Sequence, residues 1–198
     1  MIVTADAIKA KAIALGFNLV GLTPAEPSPT LAAYKRWIAQ GMHGKMGYMA
    51  RSDRVTRREN LTQILPDART LIVVGMDYRS QVVPDAVLND PSRGRIASYA
   101  WGLDYHDVLT ARLKQLAAWL QAEYKVYVDT GAILERSHAQ QAGMGFVGKN
   151  TMLIHPRRGS YFFLGEIITD LPADAYDEAH RATMCGTCTR CLQACPTD

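Results

Sequence analysis

Apolar residues recur every three to four positions in some stretches of this chain and run unbroken in others. The first pattern predicts helices and the second buried strands. Thr4 is placed to cap a first helix in which Ile8, Ala12 and Leu15 share one face, with Gly16 closing it. A short strand follows at 17–22. Ser28-Pro29 opens a second helix, the proline taking the first helical position, with Leu31, Tyr34 and Ile38 as its stripe before Gly41. Residues 41–60 begin rich in glycine and methionine and keep no sustained period, which predicts an irregular segment with one short helical turn. Leu71 to Val74 is a continuous apolar run, the signature of a strand buried on both faces. Two prolines and several turn formers make 79–94 a surface loop, and a strand is expected at 96–100. Asp104 then caps the longest helix, along which Leu109, Leu113, Leu116 and Leu120 follow one side. Strands at 126–128, 151–154 and 161–168 and a short helix at 134–141 complete the pattern, and 172–181 reads as a linker.

Strands and helices alternate, so the fold class is α/β or α+β, with a mixed sheet covered on both faces. The 198 residues suffice for one ordinary domain and the beginning of a second. Hydrophobic residues make up 48%, enough for a core, and charged residues 21%, which argues against a disordered chain. A net charge of +3 says little about partners. Its distribution says more, because Arg51, Arg54, Arg57 and Arg58 crowd together and Arg157-Arg158 follow Pro156. Such a stretch is either a solvated surface or a seat for a phosphate backbone. The start of the chain lacks the basic and apolar regions of a secretory signal, and no apolar run approaches the ~18 residues of a membrane span. Cytoplasm is the expected location.

All four cysteines fall in Cys185-Gly-Thr-Cys188-Thr-Arg-Cys191-Leu-Gln-Ala-Cys195-Pro196. This is the bacterial ferredoxin run, in which three cysteines hold one iron–sulfur cluster and the fourth ligates another. A zinc site would separate two ligand pairs by a longer spacer, and cysteines this close are hard to pair as disulfides. Both clusters would draw their remaining ligands from a second run of the same kind, so the chain reads first as the front portion of a longer protein, the alternatives being a partner that supplies the rest or a degenerate site. Elsewhere the chemistry is sparser. Asp129 ends an apolar strand just before Thr130-Gly131, where α/β folds place functional side chains, although position alone favours a helix or turn cap. Gly143, Gly145 and Gly148 match the letters of a dinucleotide fingerprint, but they follow a helix and precede a strand, which excludes that site. Glu135 precedes His138 by one helical turn, and no histidine pair has metal-ligand spacing. His106 is either a pocket residue or a structurally satisfied one.

Several words of the sequence resemble the epoxyqueuosine reductase family, the cobalamin and iron–sulfur enzymes of tRNA queuosine synthesis. They are His43-Gly-Lys-Met-Gly-Tyr-Met-Ala-Arg51, Tyr99-Ala-Trp-Gly-Leu-Asp-Tyr-His106, Val128-Asp-Thr-Gly131, Ala142-Gly-Met-Gly-Phe-Val-Gly-Lys-Asn-Thr-Met-Leu-Ile154, Phe163-Leu-Gly-Glu166 and the cysteine run. Trp101 departs from the family pattern, which leads one to expect a basic residue there. The resemblance implies a flavin-reductase/nitroreductase-like cobalamin-binding domain over 1–174. It also implies the first half of a two-cluster, ferredoxin-like 4Fe-4S domain over 175–198. It makes Asp129 the proton donor to the epoxide oxygen. Arg54, Tyr99, Arg136, Ser137, Gly148, Lys149, Asn150, Met152 and Leu153 become cobalamin contacts, and Cys185, Cys188, Cys191 and Cys195 cluster ligands. The implied partners are a tRNA anticodon stem-loop, held by the arginine stretch, and an electron donor such as a flavodoxin or ferredoxin system, the protein itself being a monomer. Two other readings stand beside this one: a related corrinoid reductase acting on a small molecule, and a non-catalytic cobalamin- or RNA-binding module.

Overall fold

The structure, a computed structural model, describes residues 3–180 and 183–197. Its centre is β2 (Thr70–Asp77), whose first six residues are all buried. Strand alternation sends Ile72 and Val74 into one apolar cluster and Leu71 and Val73 into another. The unbroken apolar run thus serves two faces at once. Antiparallel partners flank it, β1 (Leu19–Pro24) on one side and β6 (Phe162–Thr169) on the other. The edge strand β3 (Tyr124–Tyr127) pairs with β6, giving the order β1-β2-β6-β3. Every pairing is antiparallel, which corrects the expected mixed sheet. The apolar pattern reports which faces a strand buries and not the direction it runs.

One face of the sheet is covered by α1 (Ala5–Ala14) and α5 (Tyr105–Leu120). Thr4 accepts the Ala7 N–H at 3.2 Å and Asp104 the His106 N–H at 2.9 Å, so both expected caps are made. Leu109, Leu113 and Leu116 pack there against Ile72, Val74 and Ile167. The other face carries α6 (Glu135–Gln141) and a two-stranded ribbon, β4 (Phe146–Val147) with β5 (Leu153–Ile154). The ribbon is shorter than the strand expected at 151–154.

Four local expectations differ. The second helix, α2 (Leu31–Ala39), begins two residues beyond Pro29. Residues 41–60 hold an eight-residue helix, α3 (Ser52–Glu59), after a 3-10 turn at Gly47–Ala50. Its one buried residue is Arg58, so no apolar stripe announced it. Arg58 instead bonds the Tyr34 hydroxyl at 3.1 Å and lies 4.9 Å over the Tyr34 ring. Residues 79–94 include one short helix, α4 (Asp85–Leu88). The strand expected at 96–100 is a loop and a 3-10 turn, with Ile96 70% exposed and no strand beside it.

The expected linker is described as far as His180 and is a strap rather than a tether. Asp177 accepts the Leu22 N–H at 2.8 Å and meets Lys9 at 2.6 Å, while Asp174 accepts the Ala5 N–H at 2.7 Å. His180 and Gln140 exchange two bonds across α6. Beyond the strap, the cysteine segment carries a one-turn helix, α7 (Arg190–Gln193). No described helix is long and apolar enough to cross a membrane.

The approach of α6 to the sheet depends on Gly21 in β1. A Cβ there would fall 2.1 Å from the Ala142 carbonyl oxygen and 2.8 Å from the Ala142 Cβ. Neither is the end of a flexible side chain. Gly21→Ala is therefore expected to destabilise the fold by about 2 kcal/mol through overpacking, read as a lower urea midpoint with an unchanged slope.

Candidate functional site

Past the end of β3 the backbone enters the left-handed region at Asp129, with φ of +60°. Aspartate tolerates this conformation better than most residues. The turn projects the carboxylate away from the sheet, where it is 64% exposed. It caps nothing: α6 begins at Glu135 behind Leu134, which makes no side-chain cap. The Tyr105 hydroxyl donates to it at 3.0 Å, and His106 Nε2 lies 3.7 Å away. Both come from the first turn of α5. Tyr105 is held flat on Phe163 of β6, ring centroids 4.0 Å apart and planes within 7°. Burial, then the bond to Asp129, push the Tyr105 hydroxyl up to about 12, so it remains a donor at neutral pH. His106 is held in turn through its Nδ1, 2.8 Å from Asp104.

Two open clefts meet at this carboxylate. The larger, ≈ 580 Å³, is lined by Arg54, Arg58, Arg136 and Ser137 as well as Asp129 and Glu135. The second, ≈ 390 Å³, shares Asp129, Glu135 and Arg136 and adds the apolar faces of Phe163, Met152 and Leu153. Arg54 donates to the Thr130 carbonyl at 2.8 Å and Arg136 to the Thr151 carbonyl. These bonds fix two guanidiniums on the loops flanking Asp129. Ser137 Oγ accepts from Ser28 Oγ at 2.7 Å. Glu135 shuts Oε1 away from solvent without a partner. Burial first and Asp129 second push its carboxyl up to about 7, against the pull of Arg58 and Arg136.

The site residues expected from sequence divide into three groups. Asp129, Arg54, Arg136, Ser137, Met152 and Leu153 line the two clefts. Tyr99 lies on a separate hollow of ≈ 340 Å³ that adjoins through Tyr105 and His106. Gly148, Lys149 and Asn150 line none of these cavities. Asn150 closes its own turn on the Met152 N–H at 3.1 Å. Lys149 reaches the other way, its Nζ donating to the carbonyls of Gly186 at 2.9 Å and Cys188 at 3.0 Å. Its backbone N–H and the Thr183 hydroxyl bond the Cys185 sulfur and lower that thiol's pKa. Of the three glycines, Gly143 and Gly145 lie between α6 and β4, and Gly148 follows β4 on the way to β5. None of the four cysteines is joined in a disulfide. Among the described residues, no three His, Cys, Asp or Glu side chains converge as a metal site.

Sequence reasoning did not place Tyr105, Arg58 or Glu135 in the site. Glu166 was legible only as part of a family word, although a glutamate inside an apolar strand is itself a signal. The arginine stretch is also divided. Arg58 is buried and Arg54 faces the cleft, which leaves Arg51 and Arg57 on the outer surface.

A family model described as epoxyqueuosine reductase QueG, DUF1730, matches residues 58–130. An epoxyqueuosine reductase of Synechocystis is 43% identical over 186 residues, covering 90% of this chain and 61% of that protein. Among solved structures, epoxyqueuosine reductase from Streptococcus thermophilus superimposes with a TM-score of 0.83 at 35% identity, covering 96% of this chain and 51% of that one. An epoxyqueuosine reductase with an epoxyqueuosine-modified tRNA stem loop gives 0.78 at 31% identity, over 97% and 51%. A reductive dehalogenase described with a B12-dependent mechanism shares the fold alone, at 17% identity and 0.54, over 94% of this chain and 23% of that one. The chain thus spans about half to three fifths of the relatives it matches, and along nearly all its length it is similar to their amino-terminal portion.

Proposed function

We propose that this chain is the cobalamin-binding, amino-terminal part of an epoxyqueuosine reductase. Asp129 would protonate the epoxide oxygen as the wobble nucleoside of a tRNA is reduced to queuosine. The observation that carries the reading is Asp129 itself. It stands on a left-handed turn, hydrogen-bonded by Tyr105, where two clefts meet in a chain similar to these enzymes along nearly its whole length.

The residues present fit the cofactor. A corrin carries a flat apolar ring edged with amide arms, which offer both donors and acceptors. The clefts supply apolar surface from Phe163, Met152 and Leu153. Two of their lining residues, Arg58 and Glu135, hold buried polar atoms without partners, Nε and Oε1. Such atoms are costly unless a ligand satisfies them. Arg54, Arg136 and Ser137 would hold the amide arms. Cobalamin, when bound there, would supply a reduced cobalt centre for opening the epoxide. The chain's own part is acid catalysis. Asp129 gives a proton to the departing oxygen, and Tyr105 and His106 fix the direction of that carboxyl.

Residues 1–174 form the cobalamin domain in this reading, of the flavin-reductase/nitroreductase-like kind. Residues 175–198 begin a two-cluster 4Fe-4S domain. The thiols of Cys185, Cys188, Cys191 and Cys195 suit iron–sulfur ligation by type and spacing. Lys149 joins that segment to the loop beside the cleft. A flavodoxin- or ferredoxin-like donor in the cytoplasm would supply electrons to a monomeric enzyme. Arg51 and Arg57 would meet phosphates of the anticodon stem-loop, whose splayed bases are read by stacking. Anaerobic titration of the chain with cob(II)alamin tests the reading. A shift to a base-off optical and EPR spectrum is expected. A base-on spectrum that persists both in this folded chain and in the complete enzyme overturns it.

A further inference from the structure

We propose that Lys149 is a positioning residue for electron transfer. It shapes the turn between the first two cluster cysteines, ties that turn to the rim of the cofactor clefts, and raises the reduction potential of the cluster bound there. The inference rests on the reading of the cysteine run as an iron–sulfur site. It moves Lys149 from the corrin, where the family resemblance put it, to the cluster.

The geometry begins with the turn itself. Cys188 N–H donates to the Cys185 carbonyl at 2.9 Å, which closes Cys185 to Cys188 into one tight turn. Gly186 takes the left-handed region there, with φ of +49°, at no steric cost. Lys149 holds this turn at three points. Its Nζ donates to the carbonyl in the middle, Gly186 at 2.9 Å, and to the carbonyl at the end, Cys188 at 3.0 Å. Its backbone N–H bonds the Cys185 sulfur. Immobilising a long side chain costs entropy, so a lysine that fixed nothing would leave its ammonium in water. Here the donors converge on one turn, and the bonds from the ammonium are charge-assisted, the stronger kind.

The hairpin that carries Lys149 is also cleft wall. Gly148 N–H bonds the Met152 carbonyl and Thr151 N–H the Gly148 carbonyl, both at 2.9 Å, between β4 and β5. Asn150 braces this hairpin through the Met152 N–H, and Arg136 through the Thr151 carbonyl. Thr151 lines the larger cleft and Met152 the second. Lys149 precedes that lining by two residues, a span of at most about 7 Å. A braced turn thus holds the cysteine loop at its middle and the cleft lining at its end. Electron transfer slows steeply with distance, so fixing this separation fixes the rate of the last transfer.

Charge adds a second effect. A thiolate-bound cluster is anionic and gains one more negative charge on reduction. A fixed ammonium beside the ligand turn, and an N–H on a ligand sulfur, both favour the more negative state. Net charge and hydrogen bonds to sulfur are among the levers that set such potentials. The electron enters from the external flavodoxin- or ferredoxin-like donor and leaves toward the clefts, and no bond of Lys149 is made or broken.

The first test needs no cofactor. In the chain labelled with 15N-cysteine, water-exchange NMR reads the four cysteine amides separately. Lys149→Met should speed exchange at Cys188 about fivefold or more, because its turn loses the clamp. Cys195, whose N–H bonds the Leu192 carbonyl at 3.1 Å beside α7, should stay within about twofold. Unchanged exchange at Cys188 overturns the clamp. The second test is an anaerobic redox titration of the complete enzyme followed by EPR. Lys149→Met should lower the potential of one cluster, so that at a fixed potential its reduced-to-oxidised ratio falls about tenfold. Lys149→Arg, which keeps the charge and the donors, should restore the ratio to within about twofold of the parent. Equal shifts in both variants, or none, overturn the role in setting the potential. A complete enzyme that assembles no iron–sulfur cluster, with Cys188 exchange as expected, sinks the reading of the cysteine run and leaves the clamp supported.

Discussion

Asp129→Asn is expected to lower epoxide turnover in the complete enzyme by roughly 10²–10⁴-fold, the range that a positioned general acid supplies. The substitution isolates the proton. Asparagine keeps the size of the side chain and an oxygen able to accept the Tyr105 hydroxyl, now 3.0 Å from the carboxylate. It also tolerates the left-handed backbone, at φ +60°, about as well as aspartate does. What it lacks is an acidic hydrogen. Cobalamin affinity should therefore hold within about twofold, because the loss falls on a step made in the transition state. The measurement is single-turnover reduction of an epoxyqueuosine-bearing anticodon stem-loop alongside a cobalamin titration. Unchanged turnover would remove Asp129 as the acid. Lost cobalamin binding would make it a cofactor contact instead.

Folding stability should show two opposed pH dependences that conceal one another. Glu135 is raised from 4.5 to about 7, so between those values the folded chain keeps a proton that the unfolded chain releases. Its contribution is fully present below about pH 4.5 and is lost as pH rises toward 7, roughly 3 kcal/mol in all. His138 behaves in the opposite sense. It is 3% exposed on α6, and burial lowers it from 6.5 to about 4. Its contribution is present above about pH 6.5 and is lost as pH falls toward 4, again roughly 3 kcal/mol. Across the shared window the slopes nearly cancel. Urea unfolding of the chain should vary little between pH 4.5 and 6.5. Glu135→Gln should expose a stability that climbs with pH, and His138→Gln one that declines. Glu166, raised by burial, adds a further loss at higher pH. Variants whose profiles simply parallel the parent chain would refute both assignments.

How much of this was legible beforehand depends on whether a residue's role is repeated along its own element. α1, α5, β2 and β6 were legible because each bears its burial as a period, with Ile8 and Ala12 one turn apart and Leu71 to Val74 shared between two faces. The caps at Thr4 and Asp104 were legible because capping is local chemistry. So was the cysteine run, whose spacing is its own signal. α3 left no apolar trace, since it anchors through Arg58 on Tyr34, and the strap at 172–180 looked like a linker because its bonds are made to α1, β1 and α6.

The sequence by itself determined the helices and strands that carry a buried stripe, the thiol run, and Asp129 as a candidate at a strand end. Only the tertiary structure decided strand direction and order, and it alone joined Asp129 to Tyr105 and Glu135. Those three come from the end of β3, the start of α5 and the start of α6. No local repeat links positions so far apart. Their meeting follows from β3 pairing with β6 at the sheet edge while α5 and α6 cover opposite faces, which brings three element ends to the two adjoining clefts.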